Sequence, residues 1–475
     1  MVALADVTNL IGGRAGPARS GEWLEKLRPA DETVLCRVAR SASDDVDDAV
    51  AAAREAQPGW AERTAVARGD VVRELALLLR ERRDEASALV MEETGKPEEL
   101  AFGETDAAVE MGLFIAGEGR RSYGRTTTAA MANRTVLTVR QPLGVAALVM
   151  SFNTPLPNVA WKAFPAVFCG NAVVVKPSEH TPASAAFFAL LALEAGVPAG
   201  VLNVVHGLGG EAGAPLVAHP DVDLVSFTGS AATGRAINEV AARRLAKTCL
   251  ELGGKNALVV CDDADLENAV RWATAAAFSN AGQRCASASR IIVFDDVYDA
   301  FRAQVAAAAQ ALEPQPVISR ESLERMLASI EEARDAGATV LTGGTRLERS
   351  GWFLGPTIVE GAAPAAPISH TELFGPVTVL YRVSDLDEAI ALANDTPYGL
   401  TAAVHTASVH RALRFAERVQ AGVVVVNAGT HGSEPHMGFG GVKDSGTGWR
   451  EAGIESLDVY SDPKVVNLVV DPAKA

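Results

Sequence analysis

Hydrophobic positions in the first third of the chain recur at helical spacing. In residues 44–56, Val46, Ala49, Val50 and Ala53 share one face, and acidic Asp44 and Asp45 stand at the end where a helix dipole is positive. Residues 65–83 repeat the pattern, with Leu75, Leu78 and Leu79 on one stripe. This part reads as largely helical after a short extended start. Past residue 140 the texture changes to short apolar runs at 145–150, 172–175, 201–205 and 224–227, alternating with helical patterns at 181–195 and 231–242. A second set follows residue 285, with strands at 291–294, 377–381, 401–405 and 423–426 and helices at 297–311, 322–336, 386–394 and 409–420. Strands alternating with helices predict parallel sheets with helical crossovers, so two α/β units are expected. No repeat or long linker divides them, although the alanine- and proline-rich residues 361–367 mark a loop.

Composition narrows the partners. At 475 residues, with 48% hydrophobic and 21% charged, the chain can hold two or three domains with sizeable cores. A net charge of −16 sets up a field that repels nucleic acid and anionic membranes, so neither is expected and a small molecule is. The five cysteines, Cys36, Cys169, Cys249, Cys261 and Cys285, show no CxxC spacing, which argues against disulfides and zinc clusters and for a reducing compartment. The start has acidic Asp6 and no basic region leading into an apolar stretch, and no run of about 18 apolar residues follows, so a cytoplasmic protein is expected. The eight histidines, His431 and His436 included, lack metal-ligand spacing, and no metal is expected.

Several segments can carry chemistry. In Asn280-Ala281-Gly282-Gln283-Arg284-Cys285, a glycine-loosened polar turn presents a thiol, and Glu251 in Leu250-Glu251-Leu252-Gly253-Gly254 is a separate carboxylate flanked by apolar residues. A nucleophile with a base of raised pKa is one reading; a buried apolar cysteine and a structural ion pair are the other. Phe227-Thr228-Gly229-Ser230 turns a strand into a helix through glycine, where backbone NH groups can meet a phosphate, though an ordinary βα turn fits as well. Lys176 and Glu179, just past a strand end, can hydrogen-bond ribose hydroxyls or form a solvated pair. In Phe152-Asn153-Thr154-Pro155, the Asn153 amide can serve a developing oxyanion or simply make a turn.

In order, FNTP, VVKPSE, FTGSAATG, LELGGKN, NAGQRC, ELFGPV, NDTPYGL and GFGGVKDSG resemble the aldehyde dehydrogenase superfamily over about residues 44–460. The resemblance implies Cys285 as nucleophile, Glu251 as general base and Asn153 as oxyanion donor beside the Cys285 backbone NH. It also implies that Lys176 and Glu179 hold an adenosine ribose, Gly229 and Ser230 meet the pyrophosphate, and Glu372 and Phe374 position the nicotinamide ribose and ring. The implied reaction is NAD(P)-dependent oxidation of an aldehyde to a carboxylic acid through a Cys285 thiohemiacetal and thioester. NAD is expected over NADP, because Glu179 would repel a 2′-phosphate, with NADP use open.

The implied fold is a Rossmann-type NAD-binding domain over 1–119 and 142–252, an α/β catalytic domain over 253–443, and a small β oligomerisation element over 120–141 and 444–475. A homodimer or homotetramer follows from strands of that element pairing between subunits. Two positions depart from the pattern: residues 312–320 are shortened, and Gly438 stands where proline usually precedes Phe-Gly-Gly. For substrate, Phe152 replaces a commoner tryptophan, Thr154 leaves room where an aromatic is frequent, and Arg284 precedes the nucleophile. An aldehyde with a carboxylate or phosphonate, held by Arg284 and His431, is therefore expected. Aromatic or medium-chain aldehydes are the alternative, with Trp161, Met111 and Phe439 as tunnel walls. A CoA-acylating enzyme and a non-catalytic relative are less favoured, since Glu251 suits water activation and Cys285, Glu251 and Asn153 are all present.

Overall fold

The Val145–Val149 and Ala172–Lys176 strands are buried along their whole length, as parallel strands covered on both faces must be. They sit inside a seven-stranded sheet whose order is Lys247–Glu251, Leu224–Thr228, Val145–Val149, Ala172–Lys176, Leu202–Val204, Asn9–Ile11, Arg14–Gly16. The first five run parallel and the N-terminal pair is antiparallel. Alternate residues of one strand serve opposite cores: Ala146 and Leu148 face one apolar cluster, and Val145 and Ala147 the other. The structure is a computed structural model describing residues 6–474. The outermost ends of the expected domain ranges, residues 1–5 and 475, lie outside the described residues.

A second seven-stranded sheet has the order Thr339–Thr342, Thr357–Glu360, Val377–Val383, Arg290–Phe294, Ala257–Val260, Thr401–His405, Val423–Val426, parallel except at Thr339–Thr342. Along the chain, the last strand of the first sheet ends at Glu251 and the first strand of the second begins at Ala257. A three-stranded ribbon, in which Ser461–Val469 pairs antiparallel with Arg134–Pro142 and Thr126–Thr127 adds an edge, stands apart from both. Residues 444–460 do not belong to this ribbon as packed: Ala452, Leu457, Val459 and Tyr460 are buried in the first core, because their apolar side chains close its rim.

Most expected elements form, with shifted ends: the helix expected at 44–56 spans Ser43–Ala61, and that at 322–336 spans Arg320–Asp335. Helices Glu98–Gly117, Pro155–Phe168 and Leu266–Phe278 add to the expected set. Pro155 and Pro157 both fall in the first turn of the Pro155–Phe168 helix, where a missing NH costs nothing. Among the described residues no helix is long and apolar enough to cross a membrane, and no group of three metal-ligating side chains occurs.

Candidate active site

Carboxyl ends of parallel strands collect the candidate residues. The order of the first sheet places Val145–Val149 between the strand that follows it and Leu224–Thr228, a switch point where helices leave on opposite faces and a crevice opens. Asn153 follows the first of these strands, Gly229 and Ser230 follow Leu224–Thr228, Lys176 ends its strand, and Glu251 ends Lys247–Glu251. All of them line one cavity of about 680 Å³, together with Glu179, Cys285, Glu372 and Phe374. Its size suits a dinucleotide-class ligand.

Local chemistry fixes the cofactor-side residues. Ser230 caps the Ala231–Ala242 helix through its hydroxyl, leaving the helix's positive end and Gly229 facing the cavity. Buried Lys176 reaches Glu179 at 3.3 Å, so the pair is held at the cavity wall rather than in solvent. Glu372 accepts from the Gly254 NH at 3.0 Å, and burial pushes its carboxyl up to about 7 against that hydrogen bond. A Cβ on Gly253 would lie 1.9 Å from the Glu372 carboxylate, so only glycine permits this approach. Phe374 takes a left-handed φ of 56°, a costly conformation for a bulky residue, and meets Phe152 edge-on at 5.6 Å.

On the reacting side, Cys285 is the one half-buried cysteine; Cys36, Cys169, Cys249 and Cys261 are buried in the cores. Burial first, then the Glu372 and Glu251 carboxylates, push the Cys285 thiol up to about 12, while Arg284 pulls it down. This surrounding favours the thiol form, so a nucleophilic role would require Cys285 to give up its proton. Its loop turns through two left-handed residues, Asn280 at φ 58° and Ala281 at φ 51°. The Asn280 amide donates both to the Gln283 carbonyl at 3.2 Å and to the Asn153 carbonyl at 3.1 Å, tying the thiol loop to the oxyanion candidate. Lys96, paired with buried Glu104, donates to that same Asn153 carbonyl.

Glu251 is buried, and neither carboxyl oxygen has a hydrogen-bond partner among the described residues. Burial and then the charge of Glu451 push its pKa well up, with Lys162 and Arg450 opposing. The structural ion pair considered for Glu251 belongs instead to Glu451, whose oxygens lie 2.6 and 2.8 Å from the buried Lys162 ammonium. Ser226 donates to Glu451 at 2.6 Å, and Tyr460 donates to Ser226 at 3.1 Å. Sequence reading missed this cluster; its signal was a lysine inside the apolar pattern of residues 155–168.

The expected substrate-side residues lie apart from the cofactor cavity. Arg284 is half-buried, makes no ion pair or hydrogen bond among the described residues, and its buried Nε has no acceptor there. His431 sits near it, pushed down to about 4 by burial and then by Arg284, so it is a neutral imidazole rather than a second cation. Trp161 packs edge-on against Phe439 at 5.9 Å with its indole NH unpartnered among the described residues, and Thr154 accepts from Asn158 at 3.3 Å. Met111 is not a tunnel wall: it is fully buried in the first core among the helices, because it lies on the inward stripe of Glu98–Gly117.

The paired α/β sheets and the crevice at their junction define an oxidoreductase of the dinucleotide-binding type. The chain belongs to the aldehyde dehydrogenase family, whose model matches residues 17–466, and it is an NAD(P)-dependent, aldehyde-oxidising enzyme. It is 40% identical over 471 residues to a mitochondrial aldehyde dehydrogenase of Leishmania tarentolae, covering 97% of this chain and 94% of the relative. It is 35% identical to the alpha-ketoglutaric semialdehyde dehydrogenase of Bacillus subtilis (strain 168), covering 96% and 97%. Among solved structures, betaine aldehyde dehydrogenase from Staphylococcus aureus in complex with NAD+ superposes with a TM-score of 0.96 at 32% identity, covering 98% of this chain and 95% of that one. An NADP-dependent enzyme of E. coli superposes with a TM-score of 0.95 at 36% identity, covering 98% of both.

Proposed function

We propose that the chain oxidises an aldehyde bearing a carboxylate or phosphonate tail to its acid, with Cys285 as nucleophile, Glu251 as base and Asn153 as oxyanion donor. Cys285 gives up its thiol proton to solvent as Sγ bonds to the aldehyde carbon, the C=O opens to an oxyanion held by the Asn153 amide with the Cys285 backbone NH, and loss of hydride from that carbon leaves the thioester. NAD, held by Lys176, Glu179, Gly229, Ser230, Glu372 and Phe374, supplies the hydride acceptor. Glu251 then takes a proton from water, whose oxygen attacks the thioester and releases the acid. The unpartnered carboxyl of Glu251 supports this role, since both oxygens are left for a water.

The substrate reading rests on Arg284, a half-buried guanidinium with an unsatisfied Nε beside the nucleophile. Neutral His431 adds a hydrogen-bonding group without adding charge. The Bacillus subtilis relative is named for an aldehyde that carries one carboxyl group, which agrees. Arg284→Ala is expected to lower kcat/KM for succinic semialdehyde about a hundredfold, the scale of a lost charge-assisted pair, and to leave propanal nearly unchanged. An unchanged ratio between the two aldehydes sinks this reading.

NAD is the preferred cofactor in this reading. Glu179, at the cavity wall beside Lys176, would repel a 2′-phosphate on a ribose held there, so kcat/KM for NAD should exceed that for NADP by about tenfold or more, and Glu179→Ser should narrow the gap. A homodimer or homotetramer built on the ribbon accords with exposed Val465, Leu468 and Val469 along one strand. Light scattering at micromolar concentration checks this, and a monomer contradicts it. Five free thiols suit a reducing, cytoplasmic setting.

A further inference from the structure

The Asn153 side chain has two orientations of nearly the same shape, and only one of them offers an NH to the cavity. The orientation is set from outside: Asn158 Nδ2 lies 3.2 Å from Asn153 Oδ1. Asn158 sits one turn into the Pro155–Phe168 helix, and its amide also reaches the Thr154 hydroxyl and the Ser151 carbonyl, each at 3.3 Å. Asn153 Nδ2 donates to no protein group among the described residues, and Asn153 lines the cavity shared with Cys285.

The sequence explains why this arrangement is available. Asparagine and threonine ahead of a helix ordinarily spend their side chains capping its first NH groups. Here Pro155 and Pro157 remove two of those donors, and no side chain caps the helix. Asn153 and Thr154 are thereby released from the capping role, and Asn158, pointing back along the same helix face, takes up their oxygens.

Given the assignment of Asn153 as oxyanion donor, on which this rests, we infer that Asn158 is a positioning residue that holds the Asn153 amide with its NH toward the reacting carbonyl oxygen. A flipped amide would set two NH groups against each other at Asn158 and aim a carbonyl oxygen at the developing negative charge. The preference thus acts on the transition state and leaves aldehyde binding alone. Lys96 and Asn280 fix the Asn153 backbone through its carbonyl but do not contact its amide, so amide orientation is left to Asn158.

Three variants test this with propanal and NAD, reading single-turnover NADH formation, KM, melting temperature and NAD affinity. Asn158→Leu keeps the volume and removes the donor; acylation is expected to slow about tenfold, a fraction of the loss for a deleted oxyanion donor, with KM within about twofold. Asn158→Asp presents an acceptor at neutral pH and should slow acylation about a hundredfold. On acidification the introduced carboxyl takes up a proton and can donate, so the rate of this variant relative to the leucine variant should rise as pH falls from about 9 to 5. Asn153→Ala is the control. If it leaves acylation intact, the oxyanion assignment itself fails. If it slows acylation while the leucine variant does not, or if the leucine and aspartate variants match at every pH, or if only KM moves, the positioning role of Asn158 is overturned.

Discussion

Cys285→Ala is expected to lower aldehyde oxidation by on the order of 10⁶-fold, the scale of removing a covalent nucleophile, while NAD affinity and melting temperature stay close to those of the parent. The side chain is small and half-buried, so its removal opens little space. Steady-state NADH absorbance with a panel of aromatic, aliphatic and acidic aldehydes measures the loss. Activity retained within tenfold would show that carbon is not attacked by this sulfur. Because burial and two carboxyl groups hold the thiol up to about 12, thiol alkylation of the free enzyme should be slow at neutral pH and speed up toward alkaline pH.

Glu251→Gln carries the second large effect. Glutamine matches the shape of the acid and cannot take a proton, so thioester hydrolysis should slow about 10³-fold. Acylation should persist, giving one burst of NADH per site followed by near-arrest. The pH dependence follows from the raised pKa of Glu251, caused by burial and then by Glu451. The carboxylate form, which is the base, grows as pH rises, so turnover of the parent should climb toward alkaline pH and this limb should vanish in the variant. Stability moves the other way. A folded pKa above the unfolded one means stability is present at low pH and lost as pH rises through the folded value. The parent should therefore lose melting temperature relative to Glu251→Gln at alkaline pH. Equal hydrolysis rates in the two proteins would remove Glu251 from the mechanism.

The strands that build the crevice were readable because parallel strands buried on both faces leave unbroken apolar runs, as at Val145–Val149 and at residues 172–175. Lys247–Glu251 was not, since lysine and threonine at one end and glutamate at the other break its run, although that glutamate ends the strand at the cavity. The helix Pro155–Phe168 was hidden by its prolines. At the site, a motif marked each catalytic and cofactor candidate that faces the cavity. The residues behind them carried no local mark: Lys162 and Glu451 are far apart in sequence, and only the packed fold brings their charges within 2.6 Å. Arg284 and His431 were read together as anchors for an anionic tail, and the structure gives them different characters, because burial and then the arginine's field leave the imidazole uncharged.

That distance along the chain has a consequence for biosynthesis. Lys162 is made 289 residues before Glu451, and the ammonium is sealed in an apolar helix layer where an unmatched charge is strongly unfavourable. A nascent chain that has not yet reached Glu451 cannot neutralise Lys162, close the first core with Leu457 and Tyr460, or set the electrostatics of Glu251. A chain made only as far as residue 450 thus holds the Cys285 thiol without the carboxylate that neutralises Lys162.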